Sequence, residues 1–488
     1  MSQQRSRKAA SSFLFKLMES LGAQIIALVV KIILARILLP EDYGVLAMLL
    51  VFTAIAQTFV QSGLNTALIQ RQDIDETDRS TVFYFSLGMA ALLYAILFFS
   101  APWLSKLCKM PGLDKYLRVL ALMLFPGAAL SVQNAHVARQ MEFRKLMLAT
   151  LVSTLLSGVI GIIMAYSGFG IWALVWQQLS AQLILSLILF FVVKWRPRWL
   201  FSIRRAGNLF RFSWKLLVSS LMDTGYRKLR SFVIGREFDS EALAYYEQGA
   251  LYPELMMNAV NGSIQSVMLP VLSEQQNEPD RLKQTMRRSV MVSSFLVLPM
   301  MAGLAAVAKP LVLLLLTDKW LPCVPFLQIC CIDFAFYPIH TANLQAINAM
   351  GRSDVFLRLE VIKKAYGIGI LLITVFCFNG VLPIAWGAVV STVLSSFVNA
   401  WPNKKLIGYG YLEQIRDILP PVGMALVMFL LVSLLGLVPL SPLPLLAVQV
   451  AAGVAVYALL SLLFRPEAFR YLVEAVKSFI AKRKEQTP

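Results

Sequence analysis

The sequence predicts an all-α integral membrane protein with about 14 transmembrane helices. Three observations support this fold class: the composition is too apolar for water, apolar runs of membrane-spanning length recur along the chain, and basic residues concentrate in alternate loops. The 488 residues are 58% hydrophobic and 15% charged, with a mean hydropathy of +0.68. Soluble domains are about 45–50% apolar and about 25% charged, so we expect a bilayer to be the solvent of this chain.

Each predicted helix is an apolar run of roughly 20 residues, the length that crosses the hydrocarbon core. In chain order the runs cover 12–35, 43–66, 81–104, 116–138, 146–167, 171–193, 210–234, 243–266, 289–308, 323–349, 359–378, 381–401, 418–437 and 443–464. The first, seventh, eighth and tenth runs are the least hydrophobic. We expect these four to line a polar cavity, because a polar side chain that faces lipid costs several kcal/mol.

The net charge of +18 arises from basic residues in short loops between the apolar runs. With the N-terminus inside, thirty-two of the 45 Lys and Arg residues lie in inner segments and eight lie in outer loops. The outer eight are Arg36, Lys106, Lys109, Lys115, Arg118, Arg236, Lys309 and Lys319. This distribution is the positive-inside signal of membrane topology. We therefore expect both termini to be cytoplasmic and no nucleic acid to be bound.

The longest basic loop, "KWRPRWLFSIRRAGN" at 194–208, divides the chain near its middle. Six helices precede it, so the seventh helix enters the membrane in the same direction as the first. The sequence thus predicts two parallel six-helix lobes related by pseudo-twofold symmetry, an arrangement found in alternating-access transporters. The predicted boundaries are 1–204 for the N-terminal lobe, 205–404 for the C-terminal lobe, and 405–488 for two further helices and a basic amphipathic cytoplasmic tail.

The strongest internal repeat pairs residues 16–65 with residues 216–265. Arg36 matches Arg236, Glu41 matches Glu241, Gln61 matches Asn261, and Asn65 matches Gln265. Each copy sets polar side chains at helical spacing within apolar helices. The stripes are Lys16, Ser20, Gln24 and Lys31 on the first helix; Gln57, Gln61 and Asn65 on the second; Asp223, Arg227 and Arg230 on the seventh; and Glu254, Asn258, Asn261 and Gln265 on the eighth.

Together these four helices predict a cavity lined by amides with an excess of cations. Amides both donate and accept hydrogen bonds, as sugar hydroxyls require, while Lys and Arg bind phosphate. The predicted substrate-binding residues are Lys31, Arg230, Arg227, Lys228, Gln24, Gln57, Gln61, Asn65, Asn258, Asn261 and Gln265. Two alternatives stay open: Lys31 could snorkel to the interface, and Arg227 could be a structural partner of Asp223 on the same helix face.

Acidic residues and a histidine inside the apolar runs are candidates for ion coupling. Asp333, Tyr337 and His340 recur at i, i+4 and i+7 on the tenth helix, and Glu254 and Asp223 face the predicted cavity. Such groups can carry a proton or bind a cation within a membrane. The alternative is that Asp333 and His340 only bond to neighbouring helices.

The sequence offers no motif for catalysis. It contains no nucleotide-binding glycine loop, no H-E-x-x-H and no G-x-S-x-G, so ATP hydrolysis and standard hydrolase chemistry lose support. Five cysteines and two histidines without ligand spacing do not predict a metal centre. We expect a transporter that uses no cofactor other than a coupling H⁺ or Na⁺.

At "ARILLPEDYGVLAM" (35–48) and "QSGLNTALIQRQDIDETDRSTVFYFSL" (61–87) the chain resembles the oligosaccharide flippases of the polysaccharide transport family, and most of all its colanic-acid-exporter-like group. The resemblance continues through "MEFRKL" (141–146) and "MLPVLSE" (268–274). The superfamily to which that family belongs also contains multidrug extruders and the lipid II flippase.

The resemblance implies a V-shaped pair of lobes that carries an undecaprenyl-pyrophosphate-linked oligosaccharide from the cytoplasmic to the periplasmic leaflet of the bacterial inner membrane. Transport would be alternating access driven by an ion gradient, in lipopolysaccharide or exopolysaccharide biosynthesis, with membrane lipids and polysaccharide assembly proteins as partners. Two other classes remain: a drug or metabolite antiporter of the same fold, which would have a more acidic and aromatic cavity, and a membrane polymerase or ligase, which would need a larger outer loop.

Overall fold

The computed structural model describes residues 22–61, 68, 74–140, 142–276 and 278–474. Within these ranges the regular structure is α-helix and short 3₁₀ turns, with no β-strand. The all-α membrane class predicted from the composition is therefore confirmed. Contacts between residues divide the chain into two compact units, with the boundary between Ala244 and Tyr245.

The first unit contains eight described helices and the start of a ninth. They are α1 (22–37), α2 (Pro40–Gln61), α3 (Glu76–Leu107), α4 (Leu113–Leu120), α5 (Leu124–Gln140), α6 (Phe143–Tyr166), α7 (Ile171–Val192) and α8 (Ile203–Glu237). Asp75 starts α3 with a capping box, because its carboxylate accepts from the Asp78 N–H while the Asp78 side chain accepts from the Asp75 N–H. Ser202 caps α8 by accepting from the Arg205 N–H.

An apolar core joins α3, α5, α6, α7 and the start of α8. Its buried members include Val82, Leu130, Ala149, Leu189 and Leu209, and each is at most 4% exposed. A smaller cluster joins α2, α3 and α5 through Ala56, Ala90 and Ala128. Small side chains at that contact let the helix backbones approach closely, as is usual between membrane helices.

The second unit begins within α9 (Ser240–Glu274). It continues through α10 (Pro279–Ala306), α11 (Ala308–Leu315), α12 (Val324–Ala335), α13 (Tyr337–Ala349), α14 (Ser353–Cys377), α15 (Leu382–Ile407), α16 (Tyr411–Leu435), α17 (Pro442–Phe464) and α18, whose described part is 467–474. The tenth apolar run, expected as one helix, is divided at Phe336 into α12 and α13. Pro338 lies just after that break, where its missing N–H and its ring prevent a continuous helix.

Ten helical segments are long and apolar enough to cross a membrane. These ten, taken from the described ranges, coincide with ten of the fourteen predicted runs. Of the four others, the first run extends into 1–21, which lies outside the described residues, and α8, α9 and α14 are not among the ten. The number fourteen is thus not established by apolar length, although α8, α9 and α14 are full-length helices of 35, 35 and 25 residues.

The compact first unit includes α8, which the internal repeat assigns to the second predicted lobe. Its contacts with α2 account for this. The Phe52 and Phe232 rings meet edge to face with centroids 6.1 Å apart, and the Thr58 hydroxyl donates to the Thr224 hydroxyl at 3.3 Å. The lobe boundaries at 204 and 404 describe the sequence repeat and stay predictions.

Candidate functional site

The charged stripe of α8 is the main polar feature of the first unit. The Arg227 guanidinium lies 3.0 Å from the Asp223 carboxylate, as the i, i+4 spacing predicted, and these side chains are 70% and 49% exposed. Described protein residues therefore leave most of this ion pair uncovered. Because charges facing lipid are expensive, such a pair requires a water-filled space or a polar ligand beside it.

Arg230 is more enclosed than Arg227. Its residue is half-buried, and its Nε atom is buried. With about 100° of rotation per residue, Arg230 and Arg227 share a side of α8, whereas Lys228 is turned toward the side that contacts α2. The structure thus separates Lys228 from the two arginines with which the sequence grouped it.

Gln24 and Lys31 share one side of α1, as predicted. The Lys31 side chain is exposed, and its backbone carbonyl accepts from the Tyr43 hydroxyl at 3.2 Å. The adjacent Val30 is buried against α6, where a Cβ on Gly158 would lie 2.4 Å from Val30 Cγ2. Burial of Val30 in this close contact turns the Lys31 side chain away from α6. The contribution of Lys31 to substrate binding stays a prediction.

Gln57 and Gln61 point into the interior of the first unit, toward α5 and α7. Gln57 Nε2 donates to Gln182 Oε1 at 3.3 Å, and Gln61 Nε2 donates to the Gly127 carbonyl at 3.5 Å. The α2 side chains that contact α8 include Thr58 and Phe52 instead. Asn65, the third member of the predicted row, lies outside the described residues.

The sequence did not lead us to predict the buried polar side chains that surround these two glutamines. Gln57 Oε1, Ser131 Oγ and Asn134 Oδ1 are buried and find no hydrogen-bond partner within the described part of the chain. Ser131 and Asn134 follow Gly127 by four and seven residues, so they share the face of α5 that Gln57 contacts. Polar residues at helical spacing inside an apolar run could have indicated this buried polar face of α5. Gln182 likewise lies inside the apolar run of α7.

In the second unit, Asp333 and His340 lie on different helices. Asp333 is half-buried on α12 with a buried Oδ1, and His340 is on α13. The His340 Nδ1 atom accepts from the Asn399 amide at 3.0 Å, and its ring lies edge to face with Tyr337 at 6.1 Å. This contact leaves Nε2 as the nitrogen that carries the proton in neutral His340.

The row predicted on α9 is only partly described. The Asn261 Oδ1 atom accepts from the Thr341 hydroxyl at 2.7 Å, which joins α9 to α13. Glu254 and Asn258 are exposed. The Gln265 side chain lies outside the described residues.

Two networks of the second unit were not foreseen. Asn343, Asn403 and Gln414 are fully buried, and Asn343 bonds to both of the others over 2.7–3.1 Å, which joins α13, α15 and α16. Arg287 on α10 makes two hydrogen bonds to Asp417 at 2.9 Å and two to Glu467 at 3.2 and 2.9 Å. The partners of Arg287 are 130 and 180 residues away in sequence, so spacing could not reveal them.

Outside the membrane segments, Arg205 bonds to Asp75 and lowers the pKa of that carboxyl, with the Asp78 N–H also contributing. Burial raises the pKa of the Cys108 thiol to about 11, so Cys108 is an unreactive buried thiol. No cluster of three metal-ligating side chains occurs among the residues searched, which are those described.

Long polar helices beside strongly apolar ones, with charges exposed inside a helix of spanning length, define a multi-pass α-helical membrane protein. The solved structures with the same fold include the lipid II flippase MurJ in an inward closed conformation (TM-score 0.77, 13% identity, covering 94% of this chain and 100% of that one). An inward-facing MATE-family multidrug resistance transporter is also similar (TM-score 0.61, 14% identity, 79% and 94% covered). At these identities the likeness shows the fold alone.

The chain belongs to the polysaccharide biosynthesis protein family, whose model matches residues 33–325. Among curated relatives, the succinoglycan biosynthesis transport protein ExoT of Rhizobium meliloti is 26% identical over 461 residues, 91% of each chain. The teichuronic acid biosynthesis protein TuaB of Bacillus subtilis is 23% identical over 79% of each chain. The lipopolysaccharide biosynthesis protein WzxC of Escherichia coli is 23% identical over 85% of this chain and 84% of its own. The family predicted from the sequence motifs is therefore confirmed.

Proposed function

We propose that this protein is a flippase for undecaprenyl-pyrophosphate-linked oligosaccharide repeat units in the bacterial inner membrane. Its family and its similarity to the succinoglycan biosynthesis transport protein ExoT and the lipopolysaccharide biosynthesis protein WzxC support a role in polysaccharide biosynthesis, and the MurJ-like fold supports transport. The flipping step runs from the cytoplasmic to the periplasmic leaflet, with both termini in the cytoplasm, and the product enters lipopolysaccharide or exopolysaccharide assembly.

The observation that carries the proposal is the charge pattern of α8. Residues 203–237 carry eight Lys and Arg side chains against two acidic ones, and Arg230 shares the side of α8 on which Asp223 and Arg227 pair at 3.0 Å. A pyrophosphate group is the counterpart of such a cationic segment, since Arg binds phosphate oxygens in bidentate geometry. The same pattern disfavours a drug antiporter, whose cationic substrates require acidic partners.

Arg230→Ala tests this assignment. We expect export of the polymer to fall by at least tenfold, because a charge-assisted contact to phosphate contributes about 1.5–3 kcal/mol. The measurement is surface polysaccharide from cells that carry the variant at parental membrane levels. The matched control is Lys215→Ala, which removes an exposed cation near the other end of α8. Parental export by Arg230→Ala would remove this residue from the substrate site.

The proposed coupling ion is H⁺ or Na⁺, and the proposed coupling residues are Asp333 and His340, with Glu254 and Asp223 as further candidates. His340 presents a titratable imidazole within a membrane helix pair, and Asp333 supplies a half-buried carboxylate. Collapse of the proton gradient and of the sodium gradient, applied separately, distinguishes the two ions.

A further inference from the structure

The loop between α7 and α8 exposes large apolar side chains beside cations. Trp199 is 94% exposed, Phe201 54% and Ile203 73%. This surface lies within the first unit, directly after the last apolar residue of the α7 span at Val192. Such side chains in water would be costly, so something apolar is expected to cover them.

Hydrogen bonds from α3 fix the loop in place. Trp195 Nε1 donates to Glu76 Oε2 at 3.1 Å, while the N–H groups of Arg198 and Ser202 donate to the hydroxyls of Ser80 and Thr81 at 3.1 and 3.2 Å. The Trp199 ring stacks on Tyr84 with centroids 5.7 Å apart. The exposure of Trp199 is thus a feature of a held conformation.

The cations of this segment fall into two groups. Arg196 donates to the Val193 and Trp195 carbonyls, and Arg205 pairs with Asp75 and Asp78, so these two arginines hold the loop itself. The other four are exposed to the surroundings: Lys194, Arg198, Arg204 and Arg211. Residues 193–211 include no Asp or Glu, which makes the surface complementary to anions.

We propose that residues 194–211 form a binding site for anionic phospholipids of the adjacent leaflet. Trp199, Phe201 and Ile203 insert at the level of the upper acyl chains, and Arg198 and Arg204 contact headgroup phosphates. The position at the end of a membrane span and the complementary charge both select lipid as the occupant. The site is independent of which substrate the protein transports.

The test uses tryptophan fluorescence of the full chain in bilayers of brominated phosphatidylglycerol or brominated phosphatidylcholine. Bromine quenches tryptophans that contact acyl chains. Trp199→Phe is expected to remove a component that is quenched more strongly in phosphatidylglycerol. The matched control is Trp103→Phe, which removes a 62% exposed tryptophan near the other end of α3. We expect the fluorescence component lost in this control to be quenched equally by the two brominated lipids.

The proposed contacts of Arg198 and Arg204 with headgroup phosphates are tested by combining Arg198→Gln with Arg204→Gln. Removal of two cations is expected to lower the preference for phosphatidylglycerol by about thirtyfold. Thermal unfolding of each variant in detergent, compared with the parent, shows that the fold is retained. If Trp199 is not quenched, protein and not lipid covers the loop. Equal quenching of Trp199 in the two lipids, or an unchanged lipid preference in the double arginine variant, would overturn the selectivity for anionic lipids.

Discussion

At the residue scale, Gly44 shows what the family motif does structurally. A Cβ added at Gly44 would lie 1.6 Å from the Ser240 carbonyl oxygen, where the start of α2 packs against the start of α9. The three Ser240 atoms that would lie within 3 Å of this Cβ all belong to the backbone, so a rotamer change cannot relieve the contact. The equivalent residue in the second copy of the repeat is Ala244, which has room for its methyl group.

Gly44→Ala is therefore expected to lower the free energy of unfolding by about 1–3 kcal/mol, the usual cost of overpacking. Thermal unfolding in detergent measures the change. Gly88→Ala makes the same chemical change inside α3, where the added Cβ meets nothing within 4 Å, and is expected to leave stability unchanged or raise it. Equal behaviour of the two variants would mean that α2 and α9 do not approach as closely as described.

Residue spacing predicted some parts of the site but not others. The Asp223–Arg227 pair follows from i, i+4 geometry, and the shared side of Gln24 and Lys31 follows from i, i+7. The direction in which Gln57 points was not predictable, because a polar row indicates only that some neighbour is polar. Here the neighbours are Gly127 and Gln182 within the same unit, reached at 66 and 125 residues of separation.

At the scale of elements, α3 and α8 are joined by Arg205, whose guanidinium bonds to both Asp75 and Asp78. Because the folded-state pKa of Asp75 is lowered, its contribution to stability is present at neutral pH. That contribution is lost as the pH falls through the lowered pKa, below about 4. Because the contact between Asp75 and Arg205 is exposed to solvent, we expect it to change the melting temperature only slightly.

Asp75→Asn should accordingly lower the melting temperature at pH 7, and the difference from the parent should shrink on acidification toward pH 3. Thermal scans across this range measure it. Asp280→Asn, an exposed aspartate in the first turn of α10, is the control and should show no comparable trend. A difference for Asp75→Asn that is the same at both pH values would contradict the pairing with Arg205.

The second element-scale contact is the Arg287 cluster, which joins α10, α16 and α18. Asp417 is only 12% exposed and also accepts from the Tyr409 hydroxyl at 2.7 Å. Arg287→Ala would leave this carboxylate without its main positive partner. The expected loss of unfolding free energy is about 1–3 kcal/mol, since a buried acceptor loses charge-assisted bonds.

Arg281→Ala provides the comparison for Arg287→Ala. Arg281 lies on the same helix and forms an exposed i, i+3 pair with Glu278 at 2.9 Å, a contact worth at most about 1 kcal/mol. Unfolding of the two variants in detergent should therefore differ clearly. A stable Arg287→Ala protein would show that α18 is held by its apolar contacts with Phe295 and Tyr457 instead.

Element positions were predictable to the extent that apolar length determines them. Ten predicted runs coincide with spans of the required length and composition. The division at Phe336 was not expected, because Pro338 lies in an apolar run and many membrane helices tolerate proline. The runs predicted at 210–234, 243–266 and 359–378 also coincide with the helices α8, α9 and α14, although these three are not among the ten spans.

At the scale of the whole molecule, membership in a polysaccharide biosynthesis family and a MurJ-like fold are consistent with each other. Composition alone indicates a polar, cationic region within a membrane protein. The oligosaccharide substrate is inferred only from the family to which the chain belongs, because amides and arginines can bind many phosphorylated sugars. The excess of basic residues on α8 agrees both with the composition and with a phosphorylated substrate of the kind that the family suggests.

We propose that the protein moves lipid-linked repeat units across the inner membrane. The most direct measurement is the leaflet in which these units reside after deletion of the gene, read out with a membrane-impermeant glycan-labelling reagent on intact cells and inverted vesicles. We predict that repeat units accumulate, unpolymerised, in the inner leaflet and are labelled only in inverted vesicles. Repeat units labelled in intact cells at the parental level would show that flipping proceeds without this protein, and would assign it to a later polymerase or ligase step or to transport of another substrate.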